Sequence, residues 1–184
     1  RDRDNGMSVN VAIATDTGST AFSSSSMSLD MGDAGTFAVS KEKSSGHGYN
    51  AYQDKMPTAG EEVWDDVDAT DEGVTDLGSD NTLGYEVTMS GITVSASYAR
   101  MGLGTDNSVV LIANDLVDSA TFGIGTGTNV VSNTSEDDMT TVWATYTTGP
   151  ITMGVQLSEI DKTAANTDVD REHVSISFAV NENL

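Results

Sequence analysis

Apolar and polar residues alternate along most of this chain with a period of two, the spacing at which successive side chains of a β-strand point to opposite faces. Ile92, Val94, Ala96 and Tyr98 share one face, and Thr93, Ser95, Ser97 and Ala99 the other. Met7, Val9, Val11 and Ile13 repeat the pattern. So do Leu83, Tyr85, Val87 and Met89, then Ile151, Met153, Val155 and Leu157, then Val174, Ile176, Phe178 and Val180. Weaker versions cover 21–31 and 36–41, and Ala120, Phe122 and Ile124 mark another. Two stretches blur the alternation. Residues 109–113 are apolar on both faces, and 139–147 set Trp143 opposite Val142, Ala144 and Tyr146. About ten strands result, provided 108–127 supplies two joined near 114–118.

The connections alternate in length. Asp4-Asn5-Gly6, Gly32-Asp33-Ala34-Gly35, Ser90-Gly91 and Gly149-Pro150 read as tight turns. Polar connections at 16–20, 43–81, 102–107, 129–138 and 162–170 fall at the other end, the asymmetry of outer-membrane barrels. The strand faces opposite the oily ones are rich in Ser, Thr and Gly, which suits either a wall facing water or the exposed side of a soluble sheet.

Composition narrows the choice. Eight Lys plus Arg stand against twenty-nine Asp plus Glu, a net charge of −21. Such a surface repels nucleic acid and anionic headgroups and favours cations or neutral solutes as partners. No stretch approaches the ~20 apolar residues of a spanning helix, and nothing at the start has a signal peptide's layout. Without cysteine there are no disulfides or thiolate sites.

The turn Asp4-Asn5-Gly6-Met7-Ser8, the phrase Met31-Gly32-Asp33-Ala34-Gly35-Thr36-Phe37 and the strand end Ser97-Tyr98-Ala99, in that order, resemble the general bacterial porins, particularly the alphaproteobacterial type. The resemblance covers essentially the whole chain. It implies an all-β fold, an antiparallel transmembrane β-barrel of sixteen strands in the bacterial outer membrane, assembled as a homotrimer among lipid and lipopolysaccharide. Residues 1–184 would form one partial barrel domain lacking both ends, with Met7 opening the third strand and 42–81 as the long loop folded into the lumen. The implied function is passive diffusion of small polar solutes and ions, with no catalysis and no required cofactor.

The acidic loop then sets selectivity. Between Glu42 and Asp80 lie eleven acids and two lysines, concentrated at Glu61, Glu62, Asp65, Asp66, Asp68, Asp71 and Glu72. A stripe of carboxylates in a water-filled bore lowers the energy of an entering cation. In the family, basic residues on the facing wall complete the constriction, and Lys41, Lys43, Arg100, Arg1 and Arg3 are the bases available here. Crowded carboxylates also attract Ca2+, with Asp65, Asp66, Asp68 and Asp71 as candidate ligands, although Asp71 stands where an EF-hand needs Gly.

Other motifs read as bland. Asp16-Thr17-Gly18 resembles an aspartic-protease loop, but its only near match, Asp76-Leu77-Gly78, lacks the Thr. Gly123, Gly125 and Gly127 are not followed by the helix a dinucleotide fingerprint requires. His47 and His173 have no cysteine or nucleophile beside them in the pattern. Asn133-Thr134-Ser135 fits a glycosylation acceptor that an envelope protein would not use. Trp64, Tyr49 and Tyr52 fit anchors for the inward loop better than stacking platforms for sugars, and Tyr98 and Tyr146 fit interface girdles. The rival architecture is a secreted, calcium-stabilised β-sandwich or β-solenoid adhesin.

Overall fold

The computed structural model of the chain describes residues 6–15, 22–41, 45–52, 55–57, 81–100, 104–132, 135–163 and 168–179. Ten strands run through them: β1 (Ser8–Thr15), β2 (Phe22–Asp30), β3 (Thr36–Lys41), β4 (Thr82–Met89), β5 (Ile92–Arg100), β6 (Thr105–Val117), β7 (Ala120–Ser132), β8 (Ser135–Thr148), β9 (Ile151–Lys162) and β10 (Val169–Phe178). They form one sheet in sequence order, each antiparallel to the next. Among the described residues β1 and β10 are its two edges. This up-and-down meander is neither a two-sheet stack nor a parallel coil, so the sandwich and solenoid architectures do not describe these residues. No described helix is long and apolar enough to cross a membrane, which says nothing about crossing by strands.

The tight turns at 32–35, 90–91 and 149–150 form where expected, while Asp4 and Asn5 of the first lie outside the described residues. Ser90 and Gly91 both take left-handed backbone, at φ 52° and 79°. That pair of values matches the twist of the flanking strands in a two-residue hairpin. Residues 118–119 join β6 to β7, with Ser119 at φ 64°, and a single 3-10 turn at Gly32–Ala34 joins β2 to β3.

The other end differs from expectation in two places. The described residues of 102–107 and 129–138 are largely strand, because β6 begins at Thr105 and β7 and β8 run to Ser132 and from Ser135. There the pairing outlasts the hydrophobic signal. Outward positions such as Thr128 and Asp138 are polar, while on the other face buried Asp106 accepts a 2.9 Å hydrogen bond from the Val130 amide.

Burial is inverted relative to a soluble sheet. The oily stripes are exposed: Val174, Ile176 and Phe178 at 77%, 68% and 60%, and with them Val11, Ile13, Leu83, Tyr98, Leu111, Ile124 and Leu157. The opposite face buries Ser95, Ser108, Thr141, Gln156 and Ser158. Large contiguous exposed apolar surface marks a contact with a protein partner, a ligand or a membrane.

The exposed stripes form a band that crosses the strands obliquely. One unbroken row of paired residues runs from Val9 on β1 through Phe37, Ala96 and Thr126 to Asp170 on β10. On β1 the apolar stripe centres on Val11, two residues from the row towards the long connections. On β10 it centres on Ile176, six residues from the row the other way. That offset is about 27 Å along the strand against about 43 Å across nine strand spacings, a tilt of about 30°.

Candidate functional site

The face opposite the band is covered by the segment that follows β3. Residues 45–52 and 55–57 lie across the sheet, from Gly84 of β4 to Gly154 of β9, and small residues with hydroxyls on that face make this possible. The Gly48 amide donates to Ser95 Oγ at 2.9 Å, and the Tyr49 amide to Ser108 Oγ at 2.8 Å. Farther along, the Lys55 amide donates to Gln156 Oε1 at 2.9 Å. Gln156 Nε2 in turn donates to Thr141 Oγ1 at 3.1 Å, and Thr141 and Ser158 share a 2.9 Å hydroxyl contact. These side chains meet backbone amides that no strand partner satisfies, so the segment stays flat on the wall.

Missing side chains matter as much. A Cβ on Gly84 would meet His47, one on Gly125 would touch Tyr49, and one on Gly154 would press on Pro57 and Met56. A Cβ on Gly123 would fall inside the Trp143 ring. Gly123 and Gly125 therefore give room to packed aromatics, not to a nucleotide.

Two aromatic anchors hold the segment. Tyr52 stacks on Trp143 with centroids 5.8 Å apart and planes at 14°, and Lys55 Nζ sits 4.5 Å from the centre of the Tyr52 ring. The Tyr52 hydroxyl donates to Glu86 Oε2 at 2.9 Å. Tyr49, with no exposed surface, packs with Met139 and Ile160. Tyr49 and Tyr52 thus act as anchors, and Trp143 and Lys55 occupy Tyr52's ring.

Burial pushes the hydroxyls of both tyrosines well above their ordinary value of 10.0. At Tyr52 the hydrogen bond and charge of Glu86 add to it, and at Tyr49 the Arg171 charge opposes it. With folded-state values raised, the stability that these neutral hydroxyls confer is whole below pH 10 and declines as pH rises above it. The expected result is late tyrosinate absorbance accompanied by a change in Trp143 fluorescence as the segment lifts; Tyr52→Phe should remove its share. Two tyrosines titrating normally in the folded chain would contradict this.

The sequence-derived candidates divide sharply. Glu61, Glu62, Asp65, Asp66, Asp68, Asp71, Glu72 and Lys43, with Trp64, Arg1 and Arg3, lie outside the described residues. Pro57, the last described residue before the acid-rich stretch, rests against Gly154 of β9 on the covered face. Among the described residues no three acidic or histidine side chains group as a metal site. Lys41 and Arg100 are described, and the register sets them on the exposed apolar face, in line with Val39 and Tyr98. It thereby separates both from the wall that the segment covers.

On the covered face stand two bases of β10. Arg171 and His173 alternate with the outward Glu172 and Val174, and the Arg171 charge is felt at Tyr49. The parity of Val174, Ile176 and Phe178 already placed His173 there, and the same parity extends to Arg171. No protein-family model, curated protein or solved structure matches this chain.

Proposed function

We propose that the chain is the wall of an outer-membrane β-barrel porin, giving passive, cation-favouring passage to small polar solutes and ions. The observation that carries this reading is the inversion of burial. Large apolar side chains form a continuous outward band, while the small hydroxyl-bearing face is covered by a transverse segment leading into the acid-rich stretch. In hydrocarbon the band is satisfied without any protein partner, and each interior strand's backbone groups are paired by its neighbours. The tilt of about 30° approaches that of closed barrels, for which strands lean ~35–45° from the axis.

In this reading the covered face lines the bore, and Glu61, Glu62, Asp65, Asp66, Asp68, Asp71 and Glu72 supply a negative potential within it. The bases of β10 on that same face are Arg171 and His173. Ca2+ on Asp65, Asp66, Asp68 and Asp71 would lower that potential.

Planar-bilayer recording tests the proposal. The barrel that this chain helps to wall should form stable steps with cations favoured over anions, and changing Asp65, Asp66 and Asp68 together to Asn should reduce that preference roughly threefold to fivefold at ~0.1 M salt, where screening acts over ~10 Å. Unchanged selectivity would remove the acidic stretch from the mechanism. A chain that needs no detergent and loses order with chelator would favour a secreted calcium-binding protein instead.

A further inference from the structure

On the exposed face of β1 to β5, Val11, Met27, Val39, Leu83 and Tyr98 stand directly opposite one another, forming an apolar row across five strands. Around it lies a groove of about 630 Å³, bounded at its long-connection end by Lys41 and Arg100. This volume falls within the ~300–1,000 Å³ usual for sites that hold small organic ligands. Lys41 at the end of β3 and Arg100 at the end of β5 flank Asn81, about 10 Å apart at the backbone. Both side chains are exposed and long enough to lean towards one headgroup between them.

The charges around this groove are unusual for the molecule. In a chain of net charge −21 with eight bases, two bases flank a single apolar groove. On the same face and at the same end of β8 to β10, the corresponding outward positions are Glu136, Asp138, Glu159, Asp161, Asp170 and Glu172. Among the described residues the outward rim therefore carries bases over β3 to β5 and acids over β8 to β10. An anion is admitted at the first place and rejected at the second.

We propose that the groove between β1 and β5 holds an acyl chain of a lipid with a net anionic phosphate headgroup, which is gripped by Lys41 and Arg100. This inference rests on the membrane reading and adds a specific lipid site to it. The guanidinium offers a planar fork to two phosphate oxygens, the ammonium a mobile point charge, and the apolar row lies along the path of the chain below.

The test uses the full chain in zwitterionic detergent micelles, with native mass spectrometry counting bound phosphatidic acid or phosphatidylcholine of identical acyl chains. Phosphatidic acid should bind in preference. Lys41→Gln or Arg100→Gln should weaken it roughly fivefold and the double variant about thirtyfold, with phosphatidylcholine unaffected. Equal phosphatidic acid binding by wild type and double variant, with β-structure intact in the micelle, overturns the lipid site and leaves the membrane reading standing. Full competition by inorganic phosphate alone overturns the lipid as occupant. Loss of a dimer or trimer in the double variant without loss of lipid assigns the groove to a second copy instead. A chain that takes up no detergent overturns the site and the membrane reading together.

Discussion

Replacing Val155 by Lys will cost the folded chain about 2–4 kcal/mol in a bilayer, while Glu159→Lys on the same strand face will cost ~0–1 kcal/mol. Val155 lies between Met153 and Leu157 at the centre of the outward stripe of β9, beside Val174 of β10 and Ala144 of β8. Glu159 is four residues along, past the apolar band and level with Asp170. If hydrocarbon bathes the stripe, an ammonium at Val155 cannot be hydrated, whereas one at Glu159 can. In water the contrast vanishes, because exchanging an exposed apolar side chain for Lys is close to neutral. Equilibrium unfolding from lipid vesicles, followed by circular dichroism, measures the contrast. Equal costs at the two positions would sink the assignment of this face to lipid.

Trp143→Ala should destabilise the chain by about 3–5 kcal/mol, the usual cost of emptying a buried aromatic site. Trp143 is 5% exposed, packs with Val110 and Ile112, and carries the stacked Tyr52. Its loss frees more than one ring, because Tyr52 also holds Glu86 and Lys55. Gly123→Ala alone should be destabilising as well, since its methyl would occupy the space of the Trp143 ring. Combined with Trp143→Ala, the same methyl meets a vacated site, and the two costs should fall well short of additive. Denaturant titration of the four chains, with limited proteolysis within 45–57, reads both effects. Strict additivity would show that Trp143 and Gly123 do not share that space.

Why these two positions were hard to read from sequence is physical. Alternation located the ten strands and the tight turns because apolar side chains exposed on one face contrast with Ser, Thr and Gly on the other. Where the transverse segment lands, the contrast fails. Val110, Ile112, Met139 and Trp143 are apolar on the otherwise polar face because Tyr49 and Tyr52 press on them there. The confusing stretches 109–113 and 139–147 were thus the footprint of a covering segment. The strand ends at Thr105, Ser132 and Ser135 were illegible for the opposite reason, since beyond the apolar band both faces carry polar residues.

The candidate site was legible in kind and less so in position. Tyr49 and Tyr52 were identifiable as anchors because an aromatic pair in a Gly- and Ser-rich connection has little else to pack against than the wall. Lys41 and Arg100 were grouped with the constriction by charge alone, but counting by twos from Val39 and Tyr98 puts them on the other face. Arg171 was reachable by the same count and was masked by its acidic neighbours, Asp170 and Glu172. What no pattern could supply was which side-chain oxygen meets which amide, because Ser95, Ser108 and Gln156 belong to strands far from the segment in sequence.

That distance also governs when the segment can settle. Lys55 meets Gln156 across 101 positions of sequence, so its resting place does not exist until β9 has been made and paired. Until then residues 45–57 must wait beside a half-built wall, and each added strand offers one more foothold. Contacts of such long range form slowly, because chain entropy must be lost before they give any return. The settling of this segment thereby follows the making of β9, and its timing is set by that strand, not by the segment itself.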